Sequence, residues 1–234
     1  MSQHLVGYVI NLARQPERLE KFYRQAPAQF FQTVSAVDRK NLELLDLNLV
    51  FDLASCERQI HRLATAGEIG CTLSHTLCWK KIALNPQLNP MDFALVAEDD
   101  VIFCDQFTDI IKGLIDYITP FEHIDLVILQ KLGLHELGWQ DKFYHGESQI
   151  KLETASHYCA DGSSLYLIRQ SLAKELTAAL AQQKPFWLAD WFNVFCDKSK
   201  IRISVPLLGY VPEGLDSPSD IEEERQVARQ NSGG

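Results

Sequence analysis

Long apolar runs are missing from this 234-residue chain: no stretch approaches the roughly 18 uninterrupted apolar residues that a membrane-spanning helix needs. The amino terminus, MSQHLVGYVINL, also lacks the cationic start and apolar run of a secretory signal. Positive charge is scarce. With 22 Lys and Arg against 31 Asp and Glu, the formal net charge is −9, which argues against a duplex nucleic acid partner, whose binding needs a concentrated basic face. An anionic ligand must therefore be held locally, by a few cations, backbone amides or a metal. The six cysteines (Cys56, Cys71, Cys78, Cys104, Cys159 and Cys196) contain no C-x-x-C pair and no regular framework, a pattern of reduced, buried thiols in a reducing compartment. These absences give the expectation of a cytoplasmic protein that makes at most peripheral contact with the inner membrane and binds no nucleic acid.

What is present is ample material for a core. The chain is 46% hydrophobic and 23% charged, close to the averages for soluble globular domains. A chain of this size buries roughly 70–75% of the surface its unfolded form exposes, so no covalent staples are required. Strand-like runs at Leu5 to Ile10, Phe30 to Val37, Asp92 to Ala97, Ile124 to Gln130, Leu165 to Ile168 and Ile201 to Val205 alternate with helical patterns. The helices are expected from about Arg14 through Tyr23, over Ala66 to Leu84, from Phe107 to Ile118 and from Leu172 to Leu180. The polar segment Arg39 to Asn48 reads as an excursion, Gly133 to Ser156 as a long loop or lid, and the acidic stretch from Pro212 as a tail. Such alternation predicts an α/β sandwich around a mostly parallel central sheet, whose ligands bind beyond the carboxyl ends of the strands.

That rule singles out Asn11, Asp38 and the triplet Glu98-Asp99-Asp100, because each stands where an apolar strand stops. Adjacent carboxylates repel and lose solvation on burial, and a divalent cation relieves both costs. Alternation along an extended segment would turn Glu98 and Asp100 to one face, a pair of hard oxygen ligands suited to Mn or Mg; an acidic turn capping the next element is the competing reading. Arg14 and Arg18, four apart on the first helix, carry guanidinium forks that match a diphosphate and equally suit a solvated face. In GEIGCTLSH, from Gly67 to His75, the residues Glu68, Cys71 and His75 share one helical face, compatible with nucleophilic or metal chemistry or with a buried helix whose polar groups satisfy neighbours. Asp190 lies between Trp187 and Trp191, an aromatic setting that raises a carboxyl pKa and suits a general base; a helix cap ahead of Trp191 is the alternative.

Taken in order, YVINLARQPER (Tyr8 to Arg18), VSAVDR (Val34 to Arg39), GEIGCTLSH with Trp79, VAEDDV (Val96 to Val101), Ser164 to Ile168, Asp190 and Ser217 to Ile221 resemble glycosyltransferase family 25, the lipooligosaccharide galactosyltransferase-like family. The resemblance implies a GT-A-like nucleotide-sugar-binding fold, a single domain over 1–234 with the nucleotide part about 1–130 and the acceptor side about 131–234. It also implies inverting transfer of a hexose, typically galactose from UDP-galactose, to a saccharide acceptor of lipooligosaccharide or lipopolysaccharide type, lipid-linked. On that resemblance Glu98 and Asp100 hold Mn or Mg in place of a D-x-D motif, with Asp99 beside them. Asn11, Arg14, Arg18 and Asp38 then meet the nucleotide. Asp190 is the expected base, with Glu68 or His75 in reserve. The motif opens with Glu98 where D-x-D has Asp. A silent nucleotide-sugar-binding module and a metal-dependent phosphohydrolase or nucleotidyltransferase are the competing functions.

Overall fold

The computed structural model describes residues 5–130, 144, 149–154, 162–212, 226 and 228. Its centre is a seven-stranded sheet in the order β2-β1-β3-β7-β5-β8-β6, formed by β1 (Gly7–Asn11), β2 (Phe31–Ser35), β3 (Phe93–Glu98), β5 (Leu126–Ile128), β6 (Lys151–Thr154), β7 (Leu165–Arg169) and β8 (Ile201–Val205). Strands β1, β2, β3, β5 and β8 run one way, and β7 and β6 run against them. A separate pair, β4 (Ile102–Phe103) and β9 (Gly209–Tyr210), closes over one end. The crossover from β3 to β5 leaves a gap one strand wide, and β7 fills it antiparallel to both neighbours.

Side chains alternate across the sheet as extended backbone requires. Tyr8, Ile10, Ala94, Val96, Tyr166 and Ile168 pack on one face with Trp79 and Ile82 of α4 (Ala66–Leu84) and Leu172 and Leu176 of α6 (Gln170–Leu180). Val9, Leu95, Ala97, Leu165 and Leu167 pack on the other with Phe22 of α1 (Pro16–Tyr23) and the apolar stripe Phe107, Ile111, Leu114, Ile115 and Ile118 of α5 (Phe107–Ile118). The result is a three-layer α/β sandwich, as the alternating pattern predicted, and it is consistent with the GT-A-like type that the resemblance implied. Strands from either side of residue 130 interleave in the one sheet.

Several local expectations change. Arg14 lies in the turn before α1, because Pro16 fixes the first helical position and starts the helix after it. The excursion at 39–48 contains the short helix α2 (Arg39–Leu42) and a 3₁₀ turn, and is followed by α3 (Leu53–Ile60), whose Cys56 joins Leu42, Phe51, Ile69 and Leu188 in a third apolar cluster over the start of α4. The expected loop from 133 to 156 ends in edge strand β6, which is mostly exposed and so carries no apolar alternation to betray it. The rest of that loop apart from Tyr144, Gln149 and Ile150, together with Cys159 and Ser217 to Ile221, lies outside the described residues. No disulfide joins one described cysteine to another, and burial pushes Cys56 up to about 12 and Cys104 up to about 11, so both thiols stay protonated and inert. No helix of the described residues is long and apolar enough to cross a membrane.

Candidate functional site

Strands β1, β2 and β3 end side by side, and beyond their carboxyl ends opens a cleft enclosing about 710 Å³, its solvent-filled mouth included. Its walls bring together Arg14, Arg18, Asp38, His75, Glu98, Asp99 and Asp100, with Gly67 and Cys71 from α4. Asn11, the last residue of β1, is buried and reaches the same place: its amide donates to Gln15 O at 3.0 Å and to Asp99 Oδ2 at 2.6 Å.

The three acids divide their partners. Extended geometry stops at Glu98, and Asp99 and Asp100 turn, so the alternation that would face Glu98 and Asp100 together does not operate. Arg18 Nη2 instead bridges Asp99 Oδ1 at 2.6 Å and Asp100 Oδ2 at 2.8 Å. Glu98 Oε1 accepts from Ser163 Oγ at 3.0 Å and faces His75 Nε2 at 3.4 Å. Burial alone would raise the Glu98 pKa, but the hydrogen bonds from His75 and Ser163 and the positive charge of Arg18 pull it below its ordinary value. Burial, reinforced by the Glu98 carboxylate, pushes Asp100 up to about 7, and burial also raises Asp99 against the pull of Arg18 and Asn11. Among the described residues one guanidinium ion-pairs with two of the three carboxylates, so the cluster holds surplus negative charge once all three are ionised.

Across the cleft Arg14 Nε pairs with Asp38 Oδ2 at 2.8 Å. Asp38 also caps α2 by accepting from Lys40 N at 3.0 Å, and despite slight burial these contacts hold its carboxyl below the usual range. The loop carrying it lies hard against α4. Ser74 Oγ accepts from Val37 N at 2.8 Å, and a Cβ on Gly70 would stand 2.6 Å from Val37 O, a distance only glycine tolerates. The glycine and serine of the GEIGCTLSH motif thus fasten the helix to the Asp38 loop.

Two expected site residues sit elsewhere. Glu68 is buried at the third position of α4, where it completes a capping box with Thr65 and takes both arms of Arg62, one at 2.8 Å. It does not line the cleft. The signature Thr65-x-x-Glu68 was readable in the sequence and accounts for it. Asp190 precedes Trp191, the residue at the N-cap position of α7 (Phe192–Phe195), so Asp190 is not the cap, and it too lies off the cleft wall. Its segment is pinned to α4 by Thr72 Oγ1 donating to Trp187 O at 3.2 Å. Ser163 and Tyr166 are polar partners that sequence reasoning missed. Tyr166 was hidden as one more member of an apolar strand.

The family model described as "Glycosyltransferase family 25 (LPS biosynthesis protein)" matches residues 4–190, which include every cleft residue named above. The chain belongs to glycosyltransferase family 25. Among relatives of this family, it is 30% identical over 175 residues to a "Glycosyltransferase 25 family member" of Aedes aegypti, covering 72% of this chain and 27% of that protein. A protein of the same name from Drosophila melanogaster is 27% identical over 183 residues, 76% of this chain and 28% of its own length. The human "Procollagen galactosyltransferase 2" is 35% identical over 116 residues, 47% of this chain and 18% of its own. The chain thus spans about a quarter of the length of the first two curated relatives.

Proposed function

We propose that the chain is an inverting glycosyltransferase that moves a hexose, galactose first among candidates, from a UDP-sugar to a saccharide acceptor. The observation that carries this reading is the confrontation, across one cleft at the sheet's carboxyl edge, of Asn11, Arg14 and Arg18 with Glu98, Asp99 and Asp100. The name of the human relative supports galactose as the sugar, and the family's description supports an acceptor of lipooligosaccharide or lipopolysaccharide type, lipid-linked. The cytoplasmic side of the inner membrane, approached peripherally, suits such an acceptor. The nucleotide part is about 1–130 and the acceptor side about 131–234.

In this reading Arg14 and Arg18 grip the diphosphate, Asp38 meets ribose or uracil, and Asp99 orients Asn11 and Arg18. The surplus negative charge around Glu98 and Asp100 and their hard oxygen donors fit Mn or Mg. Such a cation, when bound, would neutralise charge on the diphosphate. Displacement at the anomeric carbon leaves negative charge on departing UDP, which the two guanidinium groups stabilise. The acceptor hydroxyl attacks from the opposite face and gives its proton to a carboxylate. Asp190 is the proposed base, on the acceptor side and off the donor cleft so that the acceptor hydroxyl must be brought to it, because Glu68 is committed to its cap and Arg62, and both nitrogens of buried His75 face partners.

A donor screen with detection of UDP release, followed by an acceptor screen, tests the reading: UDP-galactose should turn over only when an acceptor is present. Release that is fast and indifferent to acceptor would instead make the chain a phosphohydrolase, and tight donor binding without turnover a silent module. Asp190→Asn tests the base: turnover should fall about a hundred- to ten-thousandfold with donor affinity and melting temperature near wild type. Near-normal turnover removes Asp190 from the chemistry.

A further inference from the structure

We propose that Tyr166 and His75 are positioning residues for Glu98, the inner members of a hydrogen-bond relay of fixed direction, Trp79 to Tyr166 to His75 to Glu98, that aims one carboxylate at the cleft. The direction follows from a single donor-only group. An indole nitrogen carries a hydrogen and no available lone pair, so Trp79 Nε1, 2.9 Å from Tyr166 Oη, donates to it. Tyr166 is fully buried, and its other hydrogen-bond neighbour among the described residues is His75 Nδ1 at 2.9 Å. A phenol proton buried without an acceptor is costly, so the hydroxyl gives its hydrogen to Nδ1, which must then present a lone pair. A neutral imidazole with its lone pair on Nδ1 has its hydrogen on Nε2, and Nε2 faces Glu98 Oε1 at 3.4 Å. Ser163 donates to the same oxygen.

The relay also decides between two uses of the same side chains. Cys71 Sγ, a His75 nitrogen and a Glu98 oxygen lie within 4.8 Å of one another, a grouping that a thiolate-loving cation such as zinc could use. Zinc needs the lone pair of Nε2, where the relay places a hydrogen. Capture would drive that hydrogen to Nδ1 and strand the Tyr166 proton. Glu98 therefore faces the cleft as an oriented acceptor. The bearing of the relay on transfer rests on the glycosyltransferase reading; its direction does not.

Nitrogen-15 spectra of the full chain labelled at histidine test the direction without any donor sugar, with the His75 signals assigned by their loss in His75→Gln. Wild type should show Nε2 protonated and Nδ1 bare, and Tyr166→Phe should draw the two shifts toward each other as the tautomers mix. A protonated Nδ1 in wild type overturns the proposal. The functional arm compares His75→Gln, whose amide can stand in for Nε2, with His75→Asn, whose shorter amide stands in for Nδ1 and falls short of Glu98. Turnover should drop about ten- to a hundredfold in the Asn variant and stay within about threefold of wild type in the Gln variant, at similar melting temperatures. Equal losses overturn the positioning role; should the Asn variant fail to fold, Tyr166→Phe takes its place, and unchanged turnover there is equally fatal. Correct tautomers in a wild type that transfers no sugar would sink the glycosyltransferase reading and leave the relay's direction standing.

Discussion

At one end of β7 Arg169 is 1% exposed, yet its guanidinium lacks nothing. It donates to the carbonyls of Ile124, Met91 and Phe121 at 2.6–2.8 Å and of Thr119 at 3.3 Å, lies 4.3 Å above the Phe93 ring, and sits 3.3 Å from Asp125, which Lys200 pairs from the other side at 2.8 Å. At the other end, where Ser164 O accepts from Glu98 N, two of three neighbouring carboxylates share one arginine and Asp100 is lifted to about 7. Both clusters bury charge. The first is saturated by fixed acceptors and leaves no room for a ligand; the second is left short of positive charge beside an open cleft. Compensated burial marks structure, and uncompensated burial beside a cavity marks a site awaiting a cation or an anion's counter-charge.

The largest effect is expected from breaking the saturated end. Arg169→Leu strands four carbonyls and leaves Asp125 to Lys200 alone, and should cost about 3–5 kcal/mol, lowering the melting temperature by roughly 6–20 °C in a chain of this size. Asp100→Asn should leave it unchanged or raise it, since that carboxylate is held against its preference. Thermal unfolding of both variants decides; an equal fall in both would erase the distinction. A smaller effect is expected at Arg18: Arg18→Ala should weaken UDP about ten- to a hundredfold while sparing uridine, as calorimetric titration of each ligand would show. Equal loss for both would move Arg18 from the diphosphate to the fold.

The pH dependence is smaller again, and its sign is set by Asp100. Its folded pKa of about 7 exceeds the ordinary 3.8, so between those values the folded chain holds a proton that the unfolded chain does not. That group's contribution to stability therefore falls as pH rises from about 4 to 7 and is level above. A cation must displace the same proton, so Mn affinity should rise by about fivefold from pH 6 to pH 7 and by only about a further twofold to pH 8. Melting shifts induced by Mn at the three pH values check it; a shift that shrinks as pH rises contradicts it.

Much of this was legible in the chain. Helix α4 spans the expected Ala66 to Leu84 and β8 the expected Ile201 to Val205, because long or strongly patterned apolar segments announce themselves. Strand direction was not legible, since the reversal of β7 is a property of the gap it fills. Edge strand β6 and the short α7 carry too little periodicity to read. In the site, the strand-end residues Asn11, Asp38 and Glu98 to Asp100 came from the rule that ligands gather beyond strand termini, and they do converge. Their pairing did not: Arg18 with Asp99, and Tyr166 with His75, join residues 81 and 91 positions apart, and no local pattern encodes such contacts.

Calorimetric titration of UDP into wild type and Asp100→Asn, each with Mn and with a chelator, tests the central claim that the under-neutralised acid end is the donor's cation and diphosphate site. Mn should tighten UDP binding at least about tenfold in wild type and less than about twofold in the variant. Wild-type affinity that is the same in Mn and in chelator would contradict the account.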